Sequence, residues 1–321
     1  MTTNFLYTIS CFGNTIVDWG AAGTQYFIDG RVKQLHKEHH TLNFDGSINS
    51  ADGKYAFIYQ KLGTKGLLLK EGELLREINR SYYCADVYEY PAAFVTVNDI
   101  TYLIHCPMKY CQLDFENAET GEIVTNIPGR DAEDVFYSRL EISGNNKFLM
   151  SKGWCWHPVD VVHVFNINEC LRNPSMLDRS VLSPDTDTEI CTACFIDDTR
   201  ILIGSSNEVF NAEADISLNN LPPKHIAIWD LETNLISKPI KVNGEFGNLF
   251  AIDKDRAWDM YLFPKIINIT GEITDSDETI DSGNQNSAII NQDDKLPQIV
   301  FNRQTKQIAI TGHGKIEILT P

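Results

Sequence analysis

The sequence predicts an all-β fold built from about seven four-stranded antiparallel units, and three observations lead to this prediction. Helical periodicity is nearly absent, while short runs rich in Val, Ile, Tyr, Phe and Thr return between Gly, Asp and Asn turns, which is typical of many short strands. A unit of strand, polar turn and strand recurs along the whole chain. Most copies continue into a second hairpin, whose Asp-Gly, Glu-Gly or Thr-Gly-Glu turn tolerates the positive φ of tight turns.

The recurring units are regularly spaced. They begin at residues 5, 47, 92, 138, 191, 248 and 298, so successive starts lie 42 to 57 residues apart. A period of roughly 40 to 50 residues in an all-strand chain is typical of the blades of a β-propeller. We therefore predict one β-propeller domain over residues 1–321, although the pattern also leaves six or eight blades open. The last unit shows only three strands, so either an N-terminal segment completes it or the ring closes with a short blade.

Two stretches interrupt the period. Residues 205–223 lengthen the loop between the second and third strands of the fifth unit. Residues 274–295 replace most of the end of the sixth unit with an acidic segment rich in Ser, Asn and Asp, a composition that predicts a mobile, solvated segment. We interpret both as insertions and not as linkers between domains.

The segment "HIAIWDLETNLI", residues 225–236, resembles the third and fourth strands of a WD-repeat blade. Trp229 and Asp230 stand where that family has its name-giving dipeptide, and "VVHVFNI" at 161–167 resembles a degenerate copy. The usual Gly-His partner is missing, so the chain resembles a WD-repeat-like propeller and not a strict WD-repeat protein. The resemblance implies a scaffold that binds partners and usually has no catalytic activity.

The charge of the chain restricts its partners. Acidic residues number 44 against 27 Lys and Arg, which gives a formal net charge of -17. Neutralising phosphates requires clustered Lys and Arg, so we expect neither a nucleic acid nor a membrane surface as partner. A basic protein or peptide is the better match for this charge.

The location is predicted from two further features. The N-terminus shows no secretory signal, and no apolar run approaches the roughly 18 residues that a membrane span needs. The eight cysteines are scattered through apolar segments, which favours reduced thiols and a cytoplasmic protein. The pattern does not predict an oligomeric state.

In a propeller, the loops between blades and the loops between second and third strands open on one face around the channel. We expect this face to collect aromatic rings, which anchor interfaces, and carboxylates, which pair with Lys and Arg. The predicted partner-binding residues are Tyr82, Tyr83, Asp86, Tyr88, Glu89, Asp131, Glu133, Asp134, Phe136, Trp154, Trp156, His157, Asp160, Asp185 and Asp187. The alternative for each ring is burial between neighbouring blades.

Three groups of reactive residues invite other interpretations. Cys155 and His157 form a candidate nucleophile and base, but nothing else in the sequence completes such a site. Cys191 and Cys194 form a C-x-x-C inside an apolar strand, where residues three apart point to opposite faces. "HKEHH" at 36–40 holds three histidines in a loop without a fixed spacing for a metal. We predict no catalytic residue, no metal and no cofactor.

The sequence thus supports two hypotheses. The first is a non-enzymatic protein-binding propeller, in its concrete version an inhibitor or immunity-type protein that holds a basic effector. The alternative is a propeller enzyme or a lectin-like binder of a sugar or other small molecule, which would use channel-face carboxylates, His157 and the rings of Trp154 and Trp156. The hypotheses differ in whether Trp154, Trp156 and His157 converge on a concave pocket with perturbed carboxylates. If both Trp rings are buried between blades, the alternative loses its only anchor.

Overall fold

A computed structural model describes residues 6–40, 43–179, 181–209, 220–312 and 314–321. Contacts within the chain divide it into two compact units. Unit 1 comprises Met1–Asn126 and Pro297–Pro321, and unit 2 comprises Ile127–Leu296.

Unit 1 consists of four antiparallel sheets. The first sheet contains β1 (Ser10–Phe12), β2 (Thr15–Asp18), β3 (Thr24–Tyr26) and β4 (Val32–Gln34). The second contains β5 (Gly46–Asn49), β6 (Tyr55–Tyr59), β7 (Lys65–Lys70) and β8 (Glu73–Asn79). The third contains β9 (Ala93–Val97), β10 (Ile100–His105) and β11 (Asp114–Asn117). The fourth is formed at the C-terminal end of the chain and contains β25 (Ile299–Phe301), β26 (Ile308–Gly312) and β27 (Lys315–Leu319).

Unit 2 consists of three antiparallel sheets and two short helices. Its first sheet contains β12 (Val135–Phe136), β13 (Glu141–Ile142), β14 (Phe148–Cys155) and β15 (Val159–Asn166), and α1 (Ile167–Arg172) and α2 (Met176–Arg179) follow. The second contains β16 (Thr188–Phe195), β17 (Arg200–Val209), β18 (His225–Asp230), β19 (Leu235–Ile236) and β20 (Ile240–Lys241). The third contains β21 (Leu249–Ala251), β22 (Arg256–Asp259), β23 (Lys265–Asn268) and β24 (Ile273–Ser276).

Seven small antiparallel sheets therefore follow one another along the chain, which confirms the predicted all-β, seven-bladed propeller fold. Each sheet coincides with one of the seven repeated units. Among the described residues, four of the sheets have four strands, two have three and one has five. The last sheet has three described strands, as its sequence predicts.

Local chemistry explains why these segments form hairpins. In the second sheet, Ser50 accepts a hydrogen bond from the backbone N–H of Tyr55 at 3.0 Å and donates to Asp52 at 2.6 Å, which closes the turn between β5 and β6. Gly53 supplies a φ of 70° in that turn. All five residues of β6 are buried, because β6 lies between β5 and β7 and both of its faces are covered.

Unit 2 has its own apolar core. Trp229 is fully buried, and its indole N–H donates to Asn234 at 2.9 Å. Asp230 accepts the backbone N–H groups of Glu232 and Thr233 at 3.0 and 2.9 Å, which orders the turn between β18 and β19. The Trp-Asp pair thus serves packing and turn formation, whereas the WD-repeat resemblance itself stays a prediction.

The two predicted insertions have different outcomes. Of residues 205–223, β17 includes those up to Val209, and residues 210–219 lie outside the described residues. Most of the second insertion is an irregular segment over 277–295, and Ser282, Ala288 and Ile290 within it are buried. The segment is therefore not solvated throughout, because these three side chains pack against the body of unit 2, and its mobility stays a prediction.

Among the described residues, no helix has both the length and the apolar character that crossing a membrane requires.

Candidate functional site

The structure divides the predicted partner-binding residues by exposure. The exposed members are Tyr82, Tyr83, Asp86, Asp131, Glu133, Asp134, Trp156, His157, Asp185 and Asp187. Glu89 is half-buried, and the buried members are Tyr88, Phe136, Trp154 and Asp160. The four buried side chains do not face solvent, so any role they have in binding is through the residues they support.

In unit 1, the loop over residues 80–91 folds around a buried cation. The Arg80 guanidinium donates to the backbone carbonyls of Ala85 and Tyr88 at 2.7 and 2.9 Å. It also lies over the rings of Tyr88 and Tyr90, 4.4 and 4.9 Å from their centroids. Tyr88, which was expected on a binding surface, therefore packs with Tyr90 on an internal arginine, because a buried guanidinium gains from carbonyls and ring faces.

In unit 2, two of the predicted aromatic residues stack on each other. The rings of Phe136 and Trp154 are parallel, with centroids 3.9 Å apart, and both residues are buried. The stack follows from strand pairing, since Phe136 on β12 lies opposite Trp154 on β14. Gly153 is required there, because a Cβ at this position would lie 2.2 Å from the carbonyl oxygen of Phe136.

The turn after β14 exposes the next two residues. Trp156 is 44% exposed and packs edge-on against the ring of Trp154, with centroids 5.4 Å apart. His157 is exposed and has a φ of 103°, a backbone conformation that residues other than glycine rarely adopt. Strain of this kind clusters at functional positions, so the turn is a candidate contact surface.

A buried ion pair positions the acidic loop, residues 130–134, beside this turn. Arg130 donates from Nε and Nη2 to the two carboxylate oxygens of Asp178 on α2, at 2.7 and 2.9 Å. Asp178 also accepts the backbone N–H of Asp131 at 3.0 Å. The loop then continues through Glu133 and Asp134 into β12, so its exposed acids are held next to the strand that carries Trp154.

Two further carboxylates lie below the turn. Asp160 is fully buried, and both of its oxygens accept the backbone N–H of Ala288, at 2.9 and 3.0 Å. Its own N–H donates to the Glu189 carboxylate at 2.7 Å. Burial raises the pKa of Asp160 to about 7; Arg139 lowers this pKa, while the neighbouring charge of Glu189 raises it. Glu189 is only 7% exposed, and it also accepts a hydrogen bond from the Ser206 hydroxyl.

A polar cavity of about 220 Å³ adjoins this pair. Its lining residues come from β16, from β17, from Lys224 and from the two pairs 245–246 and 286–287. They include Glu189, Cys191, Ser206, Glu208, Lys224, Glu245 and Ser287. Lys224 forms an ion pair with Glu245. The cavity therefore has three carboxylates and one ammonium group in its wall, with Asp160 behind Glu189.

These features lie together at one end of the sheets of unit 2. The charges of Asp134, Asp160 and Glu189 all act on the Cys155 thiol, which shows that the acidic loop, the turn and the start of β16 are neighbours. We call this surface the acidic end of unit 2. It consists of Asp131, Glu133, Asp134, Trp156, His157, Asp185 and Asp187.

The structure does not assemble the reactive sites that the sequence also suggests. Burial raises the pKa of the Cys155 thiol, whereas a nucleophilic cysteine needs a lowered pKa. Cys191 and Cys194 are both buried in β16, and burial raises the pKa of Cys191 well above its usual range. Within the described ranges, no group of three or more His, Cys, Asp or Glu side chains has the arrangement of a metal site.

Two buried carboxylates at the ends of second strands were not predicted from the sequence. Asp18 on β2 accepts the backbone N–H groups of Tyr7 and Thr8 at 2.7 and 3.1 Å. Asp259 on β22 accepts those of Gly247 and Tyr261, both at 3.0 Å. A signal was present, because "TIVDWG" and "RAWDMY" both place Asp directly after apolar strand residues. In these two sheets, the carboxylate at the end of the second strand thus holds the segment that precedes the first strand.

Comparisons with known proteins support the fold. No family model matches the chain, and no curated protein matches it. Among solved structures, a chain in the crystal structure of the mitotic checkpoint complex is similar, with a TM-score of 0.58 and 9% identity over 99% of this chain and 87% of that chain. At this identity the likeness shows the fold alone, and a propeller fold is consistent with a protein-binding scaffold.

Proposed function

We propose that the chain is a non-enzymatic, cytoplasmic propeller that binds a basic protein or peptide through the acidic end of unit 2. In the concrete version it is an inhibitor or immunity-type protein that sequesters a basic effector. The proposal concerns neither nucleic acids nor membranes, which a chain with a net charge of -17 would repel.

One observation carries the proposal. The exposed Trp156 lies on a rigid base of stacked rings, with exposed carboxylates held beside it by the ion pair between Arg130 and Asp178. A rigid aromatic group within an acidic surface suits a partner that offers apolar area surrounded by Lys and Arg. Preorganisation of this kind favours binding because less conformational entropy is lost on association.

The exposed rings of unit 1 support a second contact area in the same proposal. Tyr82 is 83% exposed and Tyr83 is 47% exposed, and Asp86 beside them is exposed. Tyr83 packs against Tyr110, with ring centroids 4.7 Å apart. We keep Tyr82, Tyr83, Asp86 and Glu89 as proposed binding residues.

The alternative, an enzyme or sugar binder, loses support. Two rings, Trp154 and Trp156, were its anchors, and Trp154 is only 3% exposed beneath Phe136. A sugar stacks on exposed ring faces, so Trp154 cannot serve in this arrangement. No specific observation favours this second function, and we do not propose it.

Salt-dependent capture tests the proposal. The immobilised chain is incubated with a cytoplasmic extract at low and at high salt, and bound proteins are quantified by mass spectrometry. We expect partners with basic surfaces at low salt and a strong loss at high salt, because salt screens exposed charges. If no basic protein is recovered at low salt, or if recovery does not change with salt, the proposed function is wrong.

A further inference from the structure

We propose that the polar cavity beside Glu189 is a pocket for one arginine side chain of the partner. The inference rests on the proposed function, since it names the group that the acidic end of unit 2 would recognise. Three features favour an arginine here: unused acceptor capacity on Glu189, an excess of negative charge and the volume of the cavity.

The Glu189 carboxylate has acceptor capacity that the chain itself does not fill. One oxygen accepts the N–H of Asp160 and the other accepts the Ser206 hydroxyl. An ionised carboxylate offers about four acceptor positions, so these two donors leave roughly half of them open. Because Glu189 is only 7% exposed and lines the cavity, solvent outside the cavity does not fill these positions freely.

The charges around the cavity do not balance. Lys224 pairs with Glu245, and Arg139 is the cation whose charge lowers the pKa of Asp160. The Arg139 guanidinium is directed to neutral acceptors, donating to the Asn248 amide oxygen at 2.8 Å and to the carbonyl of Lys152 at 3.1 Å. Neither cation forms an ion pair with Glu189 in the described structure, so the pocket retains negative charge.

The cavity has enough volume to admit a basic side chain. Its volume of about 220 Å³ far exceeds the roughly 10 to 15 Å³ that admits a single water. Phe246 forms part of its wall and offers an apolar surface for the methylene groups of a long side chain. A planar guanidinium matches a carboxylate better than a compact ammonium does, so arginine suits the pocket better than lysine.

Matched peptides and matched variants test the inference. The probe is a dye-labelled peptide with arginines separated by Gly and Ser, and its partner probe carries citrulline in place of every arginine. Binding is measured by fluorescence anisotropy at low salt. For Glu189→Gln we expect the arginine peptide to bind about 10- to 100-fold more weakly, the cost of one charge-assisted hydrogen-bonded pair.

Two further variants keep the test independent of folding. Glu208 is exposed at the cavity mouth, so Glu208→Gln leaves the fold intact, and we expect a loss of about 2- to 5-fold. Glu232→Gln makes the same change in the turn between β18 and β19, away from the cavity, and we expect unchanged binding.

The outcomes separate the two proposals. If the wild-type chain binds the arginine and citrulline peptides equally, or neither of them, the basic partner of the proposed function is contradicted. If it prefers the arginine peptide while Glu189→Gln and Glu208→Gln behave like Glu232→Gln, the pocket is wrong and the proposed function stands.

Discussion

Asp259 and Asp160 are two fully buried carboxylates of unit 2 with different surroundings. Asp259 has a buried cation beside it, because Lys265 Nζ lies 3.4 Å from its Oδ2 and Lys265 is itself only 5% exposed. Asp160 has a second carboxylate, Glu189, as its neighbour and lies behind an open cavity.

The difference distinguishes a buried carboxylate with an ion-pair partner from one whose hydrogen-bond donors are neutral groups. Burying a carboxylate is costly unless a cation and hydrogen bonds compensate it. The Lys265 ammonium offsets part of the cost of burying Asp259, although burial still raises the pKa of that carboxyl. Among the described residues, no cation forms an ion pair with Asp160 or Glu189. Natural chains accept such a cost where function requires it, so the unmatched pair points to the acidic end of unit 2 as the binding surface.

Removing the Lys265 ammonium from beside Asp259 should have the largest effect on the free energy of unfolding. We expect Lys265→Met to lower the free energy of unfolding by about 3 to 5 kcal/mol, because Asp259 is left as a buried charge without its partner. Urea denaturation followed by circular dichroism measures the change. The double variant Lys265→Met with Asp259→Asn should recover most of the loss. A single variant that costs less than about 1 kcal/mol would show that Asp259 does not depend on Lys265.

The pH dependence of stability should reveal the uncompensated site. The pKa of Asp160 is raised from 3.8 to about 7, so the folded chain keeps a proton there that the unfolded chain loses. This contribution to stability is fully present below pH 3.8 and is lost as pH rises to about 7. Between about pH 5 and pH 8 we expect Asp160 to remove on the order of 3 kcal/mol from the free energy of unfolding.

The variant Asp160→Asn isolates this contribution. An Asn oxygen still accepts the backbone N–H of Ala288, and the amide does not titrate in this range. The slope of unfolding free energy against pH, measured by urea denaturation, should become flatter than in the wild-type chain. Identical slopes for the two proteins would refute the raised pKa.

Neutralising Glu189, the carboxylate beside Asp160, should have a smaller effect on stability. Glu189→Gln removes the nearby negative charge that raises the Asp160 pKa, while its amide oxygen still accepts the N–H of Asp160. We expect a gain of about 1 kcal/mol in stability near pH 8 and a lower midpoint in the pH profile. Glu232→Gln serves as the control with the same loss of charge. A destabilised Glu189→Gln would mean that the two carboxylates do not oppose each other.

The sequence predicts the seven sheets because strand periodicity and turn residues are local signals. The Ser50, Asp52 and Gly53 turn is such a case, since each contact lies within a few residues. Burial at the site depends on distant partners. Trp154 and Trp156 look alike in sequence, and both rings contact Phe136 on another strand. Only the Trp154 ring stacks face to face on it and is buried, whereas Trp156 meets it edge-on and stays exposed.

Composition is a poor guide to burial at other positions too, because burial depends on partners that are distant in the sequence. Residues 277–295 have a solvated composition, yet Ala288 is buried and donates its N–H to Asp160, 128 positions earlier in the chain. The short helix α1 was also missed, although Asn166 caps it by accepting the N–H of Glu169 at 3.2 Å, a spacing visible in "NINE". Contacts that decide exposure are long-range, so a single sequence does not specify them.

The most direct test of the account compares two triple variants with equal loss of charge. One variant neutralises the acidic end of unit 2 through Asp131→Asn, Glu133→Gln and Asp134→Asn. The other neutralises exposed acids in and around β24 through Glu272→Gln, Asp275→Asn and Glu278→Gln. The amount of basic partner captured at low salt is measured for both and for the wild-type chain. We expect the first variant to lose capture at least about tenfold and the second to retain it, since rigidly placed charges act locally. Equal losses in both variants, or no loss in either, would contradict a binding surface at the acidic end of unit 2.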